Sequence, residues 1–386
     1  MITIASIKKK NNKWVVRYDA GYDGDGNRIQ KSKGGFLTKD DAETFYVETQ
    51  NSINKGLYIE TDKIFVFDYL NRWLKSQDGN LSPTTYSGYE VNIRCHINPH
   101  IGGVRLQELK ALHIKEMYSA LQKDRKVKIN GEFRTFKKLS PKSILYVHRV
   151  LSKALEDAYL DDMISKNPVK AVKPPKVPKY KASFLEVEQI RTMIEKFVDD
   201  DLYIPVYLSV VLGLRRGEVL GLQWKHIDFD NKIIMIRQEL TMVGGKPVLL
   251  EDLKTEDSER DIVVTDRIIN LLKHHKRKQL EQRATLGNKY FKSDFICTWP
   301  DGKPFNPSHI SRSFKLRMKN YGLPEIRFHD LRHSNGSLMI GQNMPLKAAS
   351  ERLGHSTIVI TNDFYGHIER KVQVQIAEGI DKAIWG

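Results

Sequence analysis

Gly213-Leu214-Arg215-Arg216-Gly217-Glu218-Val219-Leu220 lies where the longest apolar run of the chain, Leu202 to Leu214, gives way to charge. The run is too short to span a bilayer, and Pro205 and Ser209 interrupt it. Its first part, Leu202 to Leu212, reads as a helix, as does Glu186 to Phe197 before it. A buried arginine needs an anion, so Glu218 is expected to orient Arg215 as an ion pair. Leu222 and Trp224 read as core. Further out, Lys232 to Ile236 and Asp261 to Val264 have strand composition, and the remainder alternates helices with Gly/Pro-rich loops.

Three more short motifs share this segment. Lys254-Thr255 stands ahead of Arg260-Asp261-Ile262-Val263-Val264. His329-Asp330-Leu331-Arg332-His333 follows. Leu353-Gly354-His355-Ser356 comes next, with Tyr365-Gly366-His367 ten residues after His355. Singly, each is weak. A His-x-x-Arg spacing arises often by chance, and a tyrosine near a C-terminus is usually a core residue.

Together they suit phosphodiester chemistry. In-line attack on a phosphodiester builds negative charge on its non-bridging oxygens, and planar guanidinium groups match two such oxygens at once. Arg215 and Arg332 therefore suit a transition-state clamp. His329 and Arg332 are three residues apart, so a helix brings both to one phosphate. His355 follows a glycine and precedes Ser356, which places it near a helix start with reach to the same phosphate. A phenol with an unperturbed pKa of about 10 needs help at neutral pH. Nearby cations favour the Tyr365 phenolate, and His329 is placed to accept its proton. Lys254 follows Gly244-Gly245 and the strand-like Val248-Leu249-Leu250, so it reads as a hairpin lysine able to protonate the leaving oxygen. No carboxylate cluster suggests a two-metal site, so no metal and no cofactor are expected. His333 and His367 read as structural, and His274-His275 as solvated in a basic helix.

The formal net charge is +16 and the pI about 9.5. So large a surplus points to nucleic acid or an anionic membrane, and a phosphate-binding metabolic enzyme would leave it unexplained. Cys95 and Cys297, about 200 residues apart, are the only cysteines, which excludes a disulfide framework and a cysteine-built zinc site. No secretory signal is read at the N-terminus, where charge follows the apolar residues, so a cytoplasmic, non-membrane protein is expected.

At 386 residues, two or three domains are expected. Residues 1–58 read as a small three-stranded sheet plus a helix. Trp14 to Tyr18 is a strand, Asp23 to Asn27 a turn, and Arg28 to Lys33 the returning strand. Thr38 with Asp41 approximates a capping box, and Ala42, Phe45, Thr49 and Ile53 line one face of a helix closed by Gly56. Arg17, Arg28, Lys31 and Lys33 are expected on one sheet face that enters a DNA groove.

Residues 60–165 read as all-helical. Phe67, Leu70, Trp73 and Leu74 are expected on one buried face, and helices start at Ser82-Pro83 and Ser140-Pro141. Between them, Lys123 to Lys142 holds eight Lys/Arg against Asp124 and Glu132. That imbalance favours a phosphate-contacting surface that includes Lys126, Lys137 and Lys138. Residues 166–181 carry four prolines, six lysines and no acid, and read as a stiff linker whose Lys173 and Lys176 track a DNA backbone. Residues 182–386 form the fourth part, a mixed, mainly helical domain with a small antiparallel sheet.

In order, the four motifs resemble the tyrosine recombinase, or phage integrase, family over about 200 residues from near 180 onward. The N-terminal sheet-plus-helix resembles the arm-binding domain of integrases from phages and conjugative transposons. The resemblance implies the catalytic set Arg215, Lys254, His329, Arg332, His355 and Tyr365, with Tyr365 as nucleophile. It departs at His226, where an acidic residue commonly precedes the Ile-Asp pair. It implies cleavage through a 3′-phosphotyrosine link, without ATP, to integrate and excise a mobile element. The partners it implies are double-stranded DNA at core and arm sites and a homotetramer on paired sites. Helper proteins would be an excisionase or a host DNA-bending protein. Rival readings are a catalytically silent DNA-binding regulator and a type IB topoisomerase-like enzyme on the same fold. All six filled positions oppose the first, and a separate N-terminal domain opposes the second. Apolar Val372, Ile376, Ile380, Ala383 and Ile384 at helical spacing suggest a tail helix that must bury its apolar face, either by folding back on its own domain or, as the resemblance implies, by docking on a neighbouring protomer.

Overall fold

The computed structural model describes residues 6–22, 28–54, 64–129, 131–178, 184–251, 259–342 and 344–354, with 378, 381, 384 and 385. The chain divides into two compact units, one of Met1–Leu81 with Thr85–Pro178, the other of Ser82–Thr84 with Lys179–Gly386.

The first unit opens with an antiparallel sheet of β1 (Ser6–Lys10), β2 (Lys13–Tyr22) and β3 (Arg28–Phe36), followed by α1 (Lys39–Asn54). The Asp41 amide donates to Thr38 Oγ1 at 3.1 Å, one half of the anticipated capping box. Val16, Tyr18 and Ala42 form a core flanked by Trp14, Phe36 and Phe45.

A separate core belongs to the helices α2 (Val66–Ser76), α3 (Pro83–Asn92), α4 (Asn98–Ile101), α5 (Ala111–Leu121) and α6 (Pro141–Leu160). Ser140 caps α6 by accepting from the Ser143 amide at 3.1 Å, and Ile144, Val147, Leu151 and Leu155 are fully buried along it. On α2 the buried residues are Val66, Tyr69, Leu70, Trp73 and Leu74. Phe67, expected on that face, is half exposed. It lies one residue past Val66, about 100° round the helix from the stripe.

Two further expectations change here. The basic run, inside a segment read as all-helical, is a hairpin, β4 (Arg125–Ile129) paired with β5 (Glu132–Phe136). The proline-rich stretch is extended only in its second half. Pro168, Val169 and Val172 are buried in the helical core, and the Asn167 side chain donates to Ser152 O at 2.9 Å. Proline bars a long helix, yet its ring still packs as an apolar side chain.

The second unit contains α7 (Val187–Phe197), α8 (Tyr203–Leu212) and α9 (Arg216–Gly221). They are followed by β6 (Ile227–Asp228), β7 (Ile233–Ile236), β8 (Glu239–Val243), β9 (Lys246–Leu250) and β10 (Arg260–Val263). Four helices complete it: α10 (Asp266–Leu286), α11 (Pro307–Asn320), α12 (Asp330–Gly341) and α13 (Leu346–Leu353). The sheet order is β10-β7-β6, all antiparallel, with β8-β9 a separate hairpin. Helix α8 is buried almost all round, which is why its sequence shows no polar face. Cys95 and Cys297 are free and buried. His275, expected in solvent, is partly buried, its Nε2 2.8 Å from Ile296 O, because α10 packs that face over the 295–298 segment. No helix among the described residues is long and apolar enough to cross a membrane.

Candidate active site and nucleic-acid interface

Helix α8 ends at Gly213 in the left-handed conformation, φ 68°. The turn then releases Arg215, which starts α9. The Arg215 amide donates to Glu218 Oε2 at 2.9 Å and its Nη1 donates to Oε1 at 2.6 Å, so the expected ion pair forms. The last carbonyls of α8 have no partners within the helix. Side chains from α12 satisfy them. Arg332 Nη1 donates to Gly213 O at 2.7 Å, and Asn335 Nδ2 donates to Val210 O and Val211 O at 2.9 and 3.0 Å. One helix end thereby fixes both arginines.

Only glycine fits at 213. A Cβ there would sit 2.5 Å from Leu353 Cδ2 and 2.6 Å from Asn335 Oδ1, on a backbone that L residues avoid. Gly213→Ala is expected to destabilise the fold by about 1–3 kcal/mol, read as a lower denaturant midpoint. A midpoint equal to wild type would show that the turn is free to relax.

Arg332 is 2% exposed, and its Nη2 has no acceptor among the described residues. Burial first, then the Arg215 charge, lowers its pKa to about 9, so the guanidinium is held where an added anion would be favourable. The Glu218 carboxylate, only 2% exposed, also accepts from Arg260 Nη2 at 2.9 Å and Nη1 at 3.2 Å. Burial alone would raise its pKa; hydrogen bonds from Arg260 and the charges of Arg260, Arg215 and Arg332 outweigh that and bring it to about 2. Arg215 Nη2 donates to Gly354 O, and Arg260 Nε donates to Arg352 O at 2.8 Å. Gly354, φ 65°, is the left-handed terminator of α13. The glycine before His355 thus marks a helix end.

His329 occupies the position preceding α12 and stacks edge-on against His333, ring centroids 4.9 Å apart. Enclosure by the protein, then the His333 and Arg332 charges, lowers its pKa to about 4, so it is neutral at pH 7. Asp330, fully buried, anchors this turn through Arg327 at 2.7 Å.

These two pKa values fix an acid-stability window. A native His329 at about 4 against 6.5 binds fewer protons than the unfolded chain, so stability falls as pH drops from 6.5 toward 4. Glu218, at about 2 against 4.5, contributes stability above 4.5 that is lost toward 2. Denaturant midpoints should therefore decline from near pH 6.5 downward. His329→Asn should flatten the upper part of that decline, and an unaltered profile in this variant would refute the assignment.

Lys254, His355 and Tyr365 lie outside the described residues, as do Val372, Ile376, Ile380 and Ala383 of the tail; Ile384 is described and exposed. Arg215, His329, Arg332 and Glu218 are brought to one neighbourhood. Arg260, quoted in a motif but given no role, joins them. Its only sequence signal was a charge opening an otherwise strand-like stretch.

The expected basic sheet face divides. Tyr18 pairs with Lys31, Val16 with Lys33, and Arg17 with Ser32. Directly paired residues share a face, so Lys31 and Lys33 stand on the α1 side and Arg17 on the other. Lys33 Nζ lies 4.6 Å from the Phe45 ring, a cation over the rim of the core. Arg28 lies in β3 opposite Tyr22. The face away from α1 instead groups Arg17 with Lys8, Lys10 and Lys13, all exposed and in register by alternation. Lys126, Lys137, Lys138, Lys173 and Lys176 are exposed, Lys137 in a solvated pair with Asp124. On β4-β5, Lys126 and Lys128 share the outward face with Phe133, which is 75% exposed. Val127 and Phe136, on the other face, pack against Cys95.

Three family descriptions match the chain: the phage integrase family over residues 183–371, the phage integrase N-terminal SAM-like domain over 65–122, and an arm DNA-binding domain over 4–53. A tyrosine recombinase XerC-like protein of Caldanaerobacter subterraneus subsp. tengcongensis is 27% identical, covering 97% of both chains. The ICEBs1 integrase of Bacillus subtilis is 26% identical, covering 97% of this chain and 99% of its own. The Tn1549 transposon integrase in complex with transposon right end DNA aligns with a TM-score of 0.64 at 21% identity, over 80% of this chain and 99% of that one. A lambda integrase tetramer bound to a Holliday junction aligns with a TM-score of 0.53 at 17% identity, over 91% and 95%.

Proposed function

The chain belongs to the phage integrase family, and from that premise we propose how this tyrosine site-specific recombinase cuts and rejoins DNA. Arg215 and Arg332 clamp the scissile phosphate. Tyr365 attacks it and forms a 3′-phosphotyrosine link, which stores the bond energy so that no ATP is needed. His329 takes the phenol proton, Lys254 protonates the leaving 5′ oxygen, and His355 bonds a phosphate oxygen. The observation that carries this reading is the buried Arg332, whose Nη2 lacks an acceptor among the described residues beside a second arginine already aligned on Glu218. A buried cation is costly unless an anion completes it.

Residues 1–58 bind arm-type DNA, 60–165 bind the core site, 166–181 link them to the catalytic residues 182–386, and the protein acts in the cytoplasm as a homotetramer on paired sites. An excisionase or a host DNA-bending protein sets direction. The reaction integrates and excises a mobile element. The test is a nicked core duplex whose cleaved end diffuses away. Wild-type protein should become covalently attached to it and remain so in detergent. Absence of any adduct would sink the enzyme reading in favour of a silent regulator, and relaxation of supercoiled DNA without strand exchange would favour a topoisomerase.

Arm recognition has its own test. Replacing Lys8, Lys10, Lys13 and Arg17 by glutamine should leave core cleavage within a few fold while integration fails. The salt slope of arm-DNA binding should shrink by about one for each of these cations that meets a phosphate in the wild type. Glutamine at Lys31 and Lys33 should do less. The reverse ranking would return recognition to the α1 side of the sheet.

A further inference from the structure

Arg260 opens β10, six residues after Lys254 in the sequence, and its side chain is 7% exposed. Its guanidinium is committed inside the protein. Nη1 and Nη2 grip both oxygens of Glu218, and Nε donates to Arg352 O. Glu218 in turn holds Arg215 through backbone and side chain, and Arg215 reaches Gly354 O. The result is a closed frame of two arginines, one carboxylate and two carbonyls at the end of α13. That frame joins the strand after Lys254, the first arginine of the clamp and the peptide that precedes His355.

Electrostatics alone does not explain a third arginine here. The Arg260 charge disfavours that of its neighbour Arg332. A salt bridge also gains little over a well-packed apolar pair of the same volume. What a bidentate guanidinium adds is angle and distance. With Arg260 gripping the same two oxygens that Arg215 uses, Glu218 is held from swinging and drawing Arg215 off the phosphate. A group placed loosely by even 1 Å forfeits much of a clamp's benefit.

We propose that Arg260 is a positioning residue for strand cleavage, acting through Glu218 to hold Arg215 and the segment that launches His355. This rests on the recombinase reading above. It requires no contact between Arg260 and DNA, so its loss should slow the chemical step and spare affinity.

The experiment uses full-length protein and the nicked duplex in single turnover at saturating protein. Adduct rate, DNA affinity under non-cleaving conditions and thermal midpoint are read together. Arg260→Lys keeps a charge beside Glu218 but loses the fork, and the adduct rate should fall about 10–100-fold with affinity within a few fold. Arg260→Ala should lose more, and added guanidinium ion should restore part of its rate by refilling the gap. A misfolded variant would not respond to the ion. Wild-type rate in Arg260→Lys overturns the proposal. So does a parallel fall in rate, affinity and midpoint without guanidinium rescue, which would make Arg260 a fold determinant only. If wild type itself yields no adduct, the recombinase reading falls and takes this proposal with it. A wild-type adduct with an indifferent Arg260 removes only the positioning role.

Discussion

Tyr365→Phe should leave DNA bound and uncut. The substitution removes one oxygen, the atom that would form the bond to phosphorus, and keeps the ring. On a nicked duplex the wild type should accumulate a detergent-stable adduct and the variant none, a loss of at least about 10⁴-fold by analogy with other nucleophile deletions. Affinity should stay within a few fold, because the contacts that place the duplex are backbone phosphates met by lysine and arginine. The expectation rests on the proposed role of Tyr365 as nucleophile. An unperturbed phenol is about 0.1% ionised at pH 7. Two cationic guanidiniums at the phosphate favour an attacking phenolate. An adduct that persists in Tyr365→Phe would move the nucleophile to another residue, and mapping the attached peptide would identify it.

Affinity for duplex DNA should collapse with salt. The chain carries a formal charge of +16. Exposed cations include those on the sheet face of Lys8, Lys10, Lys13 and Arg17, those on the β4-β5 hairpin, and Lys173 and Lys176. With about 6–10 phosphates neutralised, affinity falls by about 10³–10⁵ between 50 and 200 mM salt, because released counterions drive the association. Fluorescence anisotropy on a labelled core duplex measures the slope directly. Lys126→Gln and Lys128→Gln should each reduce it by about one. Phe133→Ala should weaken binding without altering the slope, since an aromatic ring contributes contact area and no charge. A flat salt response would remove the hairpin and the linker from the interface.

Local chemistry made a good part of this molecule legible. Period-3.6 spacing marked α6 and its Ser140 cap, and an unbroken apolar stretch marked α8. The Glu218 pairing with Arg215 needed only three residues of separation on a helix start. The order of the motifs carried the family. Resemblance to a family reports which residues are retained, and these are the ones chemistry constrains most.

Other features were not legible, because they depend on contacts far apart in sequence. Arg260 meets Glu218 across 42 residues and Arg352 O across 92, and Arg332 meets Gly213 O across 119. No window of the chain contains both partners. The side of the N-terminal sheet was hidden for a different reason. Alternation along a strand separates two faces but does not say which one a helix will cover. The irregularity between Trp14 and Val15 also shifts the pairing that assigns Lys31 and Lys33 to the α1 side. Phe67 and His275 were misjudged because a residue's neighbours in space, not its type, decide its burial. By itself, then, the sequence determined most of the helices and strands, the β4-β5 hairpin excepted, and the identity of the chemical groups, since these follow from spacing and residue type. Tertiary structure alone decided that Arg260 joins Arg215 on Glu218 and which carbonyls the guanidiniums reach, because those bonds exist only once α8, β10, α12 and α13 have closed on one another.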